Sequence, residues 1–484
     1  MKKLFMPLLA ALFAAGCTQV DKQDGKGSPE WSESFPGVWT SSVGKPEKLN
    51  LLNSAHAVPR AEVLDKRSQE KFPLAADDIK YTVSDGRTNL HFPLDRDEHI
   101  YGFGLNFKSI NQRGQIKRLH MDHYGDGDNG RTHAPVPFFV SSKGYGVMIN
   151  SARYIDVYAG TGVKVDSGDP PVVRDRNTDP QWEASPYSDN LEILVPAEGV
   201  ELIMFAGTSM LDAVSRFNLY CGGGFIPPKW GLGFWHRVPT RWDHAQVGEE
   251  VAAFFDKGFP LDVVGLEPGW HSYAYPCSWE WSAERFPDPA GFVSGMQDKG
   301  IEVNLWANPY LAPGFGLLEK MEPYAGTHTV WSGRVPDYAI PEAREIFKRH
   351  VQENQAGIGI SGFKVDEVDG FDFWLWPDVA EFPSGVGGEQ MRSIYGNLVL
   401  DILDELYHSL NRRTYGLSRA VNGGGVRFPY VIYNDNYSHR DFITALASSG
   451  FAGVLWTPEV RASGSGEEWL RRMQTTCQIG RAHV

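Results

Sequence analysis

Cysteine is scarce in this chain of 484 residues. Cys17, Cys221, Cys277 and Cys477 are its four, and no two of them form a C-x-x-C pair. A disulfide framework and a structural zinc site are therefore not expected. Positive charge is also short: Lys and Arg number 46 against 60 Asp and Glu, for a net charge of -14. A nucleic-acid partner is not expected, because phosphate binding needs a basic face. No G-x-G-x-x-G follows a strand-like run. Gly222-Gly223-Gly224 and Gly423-Gly424-Gly425 lack the Lys-Ser/Thr of a phosphate loop and read as linker and loop. His120, Asp122 and His123 are too weak a set to imply a metal, and no cofactor is implied. What the chain does have is a 42% hydrophobic and 13% aromatic content, which excludes disorder. It also has 52 Gly, 31 Pro and 15 Trp, suited to tight loops and aromatic platforms of the kind sugar-binding enzymes use. The length, roughly three times a typical domain, predicts two or three domains.

The two ends stand apart in composition. Residues 1–17 read MKKLFMPLLAALFAAGC, with two lysines, an apolar run from Leu4 to Ala15, and small residues before Cys17. This is the pattern of a signal peptide, too short to span a membrane comfortably. Ala14-Ala15-Gly16-Cys17 resembles a bacterial lipobox, with Ala where Leu is usual, so Cys17 is expected to be lipidated. The chain would then be a secreted bacterial lipoprotein, held to a membrane in the periplasm or at the cell surface only through that anchor. Residues 18–35 are expected to act as a linker. At the other end, Gln478 to Val484 (QIGRAHV) matches one reading frame of a common DNA-sequencing adapter. That string is expected not to be protein-coding, which would make the chain a fragment.

Between the ends, two architectures follow one another. Over residues 36–225 the strand-like runs are short: Lys80–Val83, Leu90–Phe92, Phe138–Val140, Gly146–Ile149, Tyr154–Tyr158 and Leu191–Val195. Turns such as Ser84-Asp85-Gly86 separate them, which predicts a β-sandwich. Over residues 226–477 the strand-like runs alternate with helical stretches. The strands expected are Trp230–Trp235, Leu261–Leu266, Ile301–Ala307, Gly362–Val365, Thr414–Ser418, Val431–Tyr433 and Gly453–Trp456. Helices are expected near Asp243–Lys257, Pro289–Lys299, Glu342–Asn354, Glu389–Leu410, Arg440–Ser448 and Glu467–Thr476. Repeated βα units predict an α/β fold, a (β/α)8 barrel, of which seven strands can be counted and the last is missing.

Barrels of this kind gather their active site at the C-terminal ends of the strands. That rule selects Glu267, Trp306, Asn308, Asp366, Arg419, Asp435 and Glu459, with Trp270 and Trp456 nearby. Paired carboxylates among aromatic platforms suit glycoside hydrolysis, one attacking the anomeric carbon and the other protonating the leaving oxygen. The sharpest segment is Phe363-Lys364-Val365-Asp366-Glu367-Val368-Asp369. An apolar strand delivers Asp366 at its end, and Lys364, two residues earlier on the same face, favours the ionised form that a nucleophile needs. Read as residues alone, the segment could equally be a solvated acidic loop, and Asp435 in Tyr433-Asn434-Asp435-Asn436 an Asx turn or helix cap.

Further motifs carry a resemblance. Pro228-Lys229-Trp230-Gly231-Leu232-Gly233-Phe234-Trp235, Phe259-Pro260-Leu261-Asp262-Val263-Val264 and Phe286-Pro287-Asp288-Pro289 resemble the barrel of glycoside hydrolase family 31. Asn111-Gln112-Arg113-Gly114 and the run from Pro137 to Gly146 resemble the N-terminal β-sandwich of that family. The resemblance covers roughly residues 90–476. It implies retaining, exo-acting hydrolysis of α-linked sugars, with an oligosaccharide or glycoside as substrate. The family's K-x-D nucleophile motif falls on Lys364 and Asp366, with Asp369 where Glu is usual. Its S-R…R-[YF]-P…G-D segment falls on Ser418, Arg419, Arg427, Phe428, Pro429 and Asp435, which makes Asp435 the acid/base. Asn434 replaces the usual Gly, and Arg427 would contact the sugar or orient the acid.

Two departures bear on the sugar. The family's α-glucosidases carry Asp-x-Asp after the second strand, for O4 and O6; this chain has Glu267-Pro268-Gly269-Trp270. They carry His-Asp after the seventh strand, and this chain has Trp456-Thr457-Pro458-Glu459. Gly269 offers no acceptor, and Trp270 could stack on the apolar face of a sugar with an axial O4. An α-galactosidase, from a lipoprotein branch of the family, is therefore expected. An α-glucosidase, α-xylosidase or α-N-acetylgalactosaminidase are the alternatives, and so, from another class, is a lipid-anchored sugar-binding protein with an inactive barrel.

Overall fold

The computed structural model describes residues 25–123, 130–184, 188–370, 372–435, 438–460 and 463–482. The expected signal segment, with Cys17, lies outside them, as does Asn436. In the N-terminal half, two antiparallel six-stranded sheets face each other. Strand alternation explains the packing. In Gly199–Ala206, Val200, Leu202 and Met204 point into the core between the sheets, against Leu90, Phe92, Leu191 and Ile193. Ile203 and Phe205 point the other way and join the core of the second half, together with Val38, Phe138, Val140 and Met148. This sheet is therefore apolar on both faces. The helix Met210–Tyr220, capped by Ser209, fills the space behind it, with Phe217 stacked on Phe138 at 3.9 Å.

The linker expected over residues 18–35 is partly a correction. Gly25–Gly27 and Ser32–Phe35 are strands of the sandwich, the first paired with Lys80–Ser84 and the second with Val38–Gly44. Backbone pairing can recruit a polar, Gly-rich segment that hydrophobic patterning does not mark.

The second half holds a parallel sheet whose seven strands follow chain order: Trp235–Arg237, Val263–Leu266, Glu302–Ala307, Gly362–Val365, Gly416–Ser418, Tyr430–Asn434 and Trp456–Pro458. This is the curled α/β barrel that the βα alternation predicts. Two strands sit later than expected. Lys229–Leu232 is a 3-10 turn, and the first strand begins only at Trp235. The Asp262 carboxylate accepts from the Phe234 N–H at 2.8 Å and packs so close to Gly233 that no side chain fits there, which keeps this segment out of the sheet. Gly453, at φ +70, ends the helix His439–Phe451, and the seventh strand starts at Trp456. A hairpin, Ala325–Val330 with Gly333–Pro336, is inserted between the third and fourth strands. The last helix, Gly466–Ala482, runs into the Gln478–Val484 string. Among the described residues, no helix is long and apolar enough to cross a membrane.

Candidate active site

The fourth strand, Gly362–Val365, is buried along its whole length and ends at Asp366. The carboxylate of Asp366 is held on every side. Trp306 Nε1 donates to Oδ2 at 2.6 Å, Arg419 NH1 donates to Oδ1 at 2.9 Å, and the Glu367 N–H donates to Oδ1 at 2.9 Å. Burial alone would raise the pKa of this carboxyl. The charges of Arg419 and Lys364 and the Trp306 hydrogen bond outweigh it and hold Asp366 below the ordinary carboxylate range.

Arg419, at the end of the fifth strand and buried, is the hub. It also pairs with Asp369 through Nε at 3.3 Å and with Asp435 Oδ2 through NH1 at 3.3 Å. Asp366 and Asp435 thus share one guanidinium nitrogen. Their bonded oxygens can be no farther apart than those two contacts laid end to end, about 6 Å. The two carboxylates differ in exposure: the Asp366 side chain is 7% exposed and that of Asp435 37%. One is fixed and ionised, and the other is open to the cavity.

Across the cavity, Lys364 reaches Glu459 at 2.5 Å and Glu267 at 3.4 Å, over the ring of Tyr433. Burial pushes Glu267 up, but Arg237 and Lys364 pull it below its ordinary value. Asp366, Asp435, Lys364, Glu267, Glu459 and Trp306 all line one cavity of about 2230 Å³.

Four residues selected from the sequence are not brought to it. Trp270 lies in a 3-10 turn, Pro268–Trp270, that carries its ring inward. It is 1% exposed, stacks on His271 at 3.8 Å and donates from Nε1 to the Trp306 carbonyl at 2.7 Å. Trp456 is fully buried between Phe442 and Phe107; the neighbours of opposite strand parity, Thr457 and Glu459, face the cavity instead. Arg427 precedes the sixth strand, so it sits at the wrong end of the barrel. There it pairs with Asp401, with Asp404 at 3.1 Å, and with the Ala55 carbonyl. Asn308 is buried and braces its own loop, accepting from Tyr310 N–H at 3.2 Å and Trp279 Nε1 at 3.2 Å.

Other residues of the site are not singled out by the sequence. Arg237 ends the first strand, and the strand-end rule finds it only if that strand is placed two residues later. His123 arrives from the sandwich: its Nδ1 lies 2.8 Å from Asp369 Oδ2 and 2.9 Å from Arg419 NH2. His120 Nε2 lies 3.2 Å from Asp372, and burial above all pushes its pKa down to about 3, so it stays neutral; Asp122 pairs with Arg131 at 3.3 Å. Tyr275 and Glu367 also line the cavity. Glu367 stands in plain view beside Asp366, and nothing in the sequence flags Tyr275.

Comparison with known proteins decides the family. The glycosyl hydrolases family 31 TIM-barrel domain matches residues 224–477, and the family 31 N-terminal galactose mutarotase-like domain matches residues 37–157. The chain belongs to glycoside hydrolase family 31. Among its relatives, this family 31 chain is 26% identical over 228 residues to the α-xylosidase XylQ of Lactiplantibacillus pentosus, covering 46% of this chain and 26% of that protein. It is 23% identical over 399 residues to an α-xylosidase of Emericella nidulans, covering 78% of this chain and 47% of that one. It thus spans less than half the length of either. Among solved structures, a variant of the family 31 dextranase of Flavobacterium johnsoniae complexed with isomaltotriose superposes with a TM-score of 0.74 at 16% identity, over 94% of this chain and 63% of that one. An α-xylosidase from a soil metagenome complexed with xylose gives 0.66 at 15%, over 92% and 68%.

Proposed function

We propose that this family 31 chain is a retaining α-glycoside hydrolase in which Asp366 is the nucleophile and Asp435 the general acid/base. The observation that carries the reading is the shared Arg419 nitrogen. It ties the two carboxylates to one point at the mouth of the barrel, as a paired nucleophile and acid/base would be, and helps to hold the buried one ionised. A carboxylate oxygen of Asp366 attacks the anomeric carbon while Asp435 gives its proton to the departing oxygen. Water, deprotonated by Asp435, then releases the sugar from the β-glycosyl-aspartate. A sugar-binding protein with an inactive barrel would have no use for this pairing.

The sugar is one that makes less use of an acceptor at position 269 than a glucoside does. Gly269 packs against the Thr240 carbonyl, 1.5 Å from where a Cβ would stand, so the acidic side chain that serves O4 and O6 in α-glucosidases has no room here. Losing a charged acceptor forfeits about 1.5–3 kcal/mol, or roughly 10- to 150-fold. A xyloside has no O6, so of the two hydroxyls that acid serves it presents only O4, and the α-xylosidases among the relatives support that choice. A galactoside, with its axial O4, is the second reading; it keeps the Gly269 argument but loses the stacking platform, because Trp270 faces the core. The test is kcat/KM for matched p-nitrophenyl α-xyloside, α-galactoside, α-glucoside and α-N-acetylgalactosaminide. Xyloside should lead glucoside by at least about tenfold, and a lead for glucoside would reject the argument from Gly269. Lipidation at Cys17 is proposed on the sequence alone: Cys17→Ser should move the protein from the membrane fraction to the soluble one.

A further inference from the structure

We infer that Tyr275 and Glu367 form a polar clamp on one wall of the cavity, with Glu367 bonding a hydroxyl of the bound sugar and Tyr275 aiming it. The inference rests on the proposed glycosidase reading and concerns residues which that reading does not use.

Three observations carry it. First, both residues line the cavity that holds the two carboxylates, and Tyr275, which is 40% exposed, presents its side chain openly. Second, both have left-handed backbones, Tyr275 at φ +62 and Glu367 at φ +62, although neither is a glycine. L-residues adopt this conformation at an energetic cost, and it persists where the surroundings hold it, typically at ligand clamps and catalytic sites. Here two such residues, far apart in sequence, meet each other: the Tyr275 hydroxyl donates to Glu367 Oε1 at 3.1 Å. Third, the pair is braced. The Glu367 carbonyl accepts from the Tyr310 hydroxyl at 2.7 Å, and its N–H is fixed to Asp366. The Tyr275 ring leans on Trp306 at 5.1 Å and meets Trp331 of the inserted hairpin edge-on at 4.9 Å.

This bracing leaves one carboxyl oxygen over. Among the described residues, Glu367 Oε2 has no hydrogen-bond partner, while Oε1 is occupied by Tyr275. Glu367 follows the proposed nucleophile directly in the chain, and both line the same cavity. Its chemistry suits a hydroxyl better than a cation. Burial and the neighbouring charge of Asp366 push the Glu367 carboxyl up to about 8, so near neutral pH it carries a proton and can both donate and accept. A second negative charge beside Asp366 would oppose the nucleophile's own ionised form; a protonated acid does not.

The experiment removes the residue and the hydroxyl together. The full chain and its Glu367→Ala, Glu367→Gln and Tyr275→Phe variants are assayed for kcat/KM on the p-nitrophenyl α-glycoside of the preferred sugar and on each of its monodeoxy forms. In the wild type, one deoxy position should cost about tenfold. In Glu367→Ala the parent glycoside should fall by about the same factor, and that one deoxy form should show no more than about a threefold further loss. Glu367→Gln, which keeps a donor and an acceptor, should regain most of the discrimination, and Tyr275→Phe should weaken it. A deoxy profile in Glu367→Ala identical to that of the wild type overturns the clamp, as does a wild type indifferent to every deoxy position. If Glu367→Ala does not fold, the Gln and Phe variants carry the same comparison. A wild type that cleaves none of the parent glycosides overturns the glycosidase reading itself, which is a different result from either of these.

Discussion

At the scale of single residues, one guanidinium governs the charge of the cavity floor. Arg419 touches Asp366, Asp369 and Asp435, and two of these carboxylates are almost fully buried. Removing it would leave buried negative charge without a counterion. Arg419→Met should therefore cost about 3–5 kcal/mol in urea unfolding, besides abolishing turnover. Asp366→Asn should lower kcat by more than about a hundredfold, or 2.7 kcal/mol of barrier, and added azide should restore turnover as a β-glycosyl azide. Retention of near wild-type kcat would remove Asp366 from its role. The acids of the site also predict opposite responses to pH. Asp366, Asp369 and Glu267 titrate below their ordinary values, so their stabilisation is present above those values and is lost as the pH falls through the lowered ones. Glu367 is raised from 4.5 to about 8, so its contribution is complete below the first value and is lost as the pH climbs to the second. The melting temperature of Glu367→Gln should therefore gain on that of the wild type between about pH 5 and about pH 9. A constant difference would show that Glu367 titrates normally.

At the scale of elements, turns decide which faces matter. The strand-end rule locates Glu267, Asp366, Arg419, Asp435 and Glu459 because an apolar run followed by a charge marks both a strand and its end. It cannot tell which way a residue points once the chain leaves the strand. Trp270 reads as a platform because it follows Glu267 closely in the loop after the second strand, but the 3-10 turn rotates it into the core. Arg427 follows the family motif, yet it comes before its strand rather than after it. Its partners Asp401 and Asp404 lie on a helix, Gly388–Ser409, whose register the sequence does not reveal. Trp456 misses the cavity by one step of strand parity. Trp270→Ala should accordingly cost about 3–5 kcal/mol of stability and leave the ratio of xyloside to glucoside kcat/KM unchanged in whatever fraction remains folded. A selective loss on one sugar, without loss of stability, would return Trp270 to the cavity.

At the scale of the molecule, the two halves share one interior. The outer face of a sandwich sheet and the Met210–Tyr220 helix belong to the same apolar cluster as the barrel. Expressed alone, residues 226–477 should aggregate, since Ile203, Phe205 and Phe217 would be missing from their partners; a soluble, cooperatively melting fragment would contradict this. The two-domain plan is legible because strand spacing changes abruptly after Pro228. The joint is not, because contacts between distant segments leave no local pattern: His123 reads as a stray loop histidine until the fold sets it against Asp369. That placement has a consequence for how the site comes into being. The sandwich leaves the ribosome first, but the arginine that its histidine touches is made some three hundred residues later. The site proposed for catalysis is thus complete only when both halves have been made and joined.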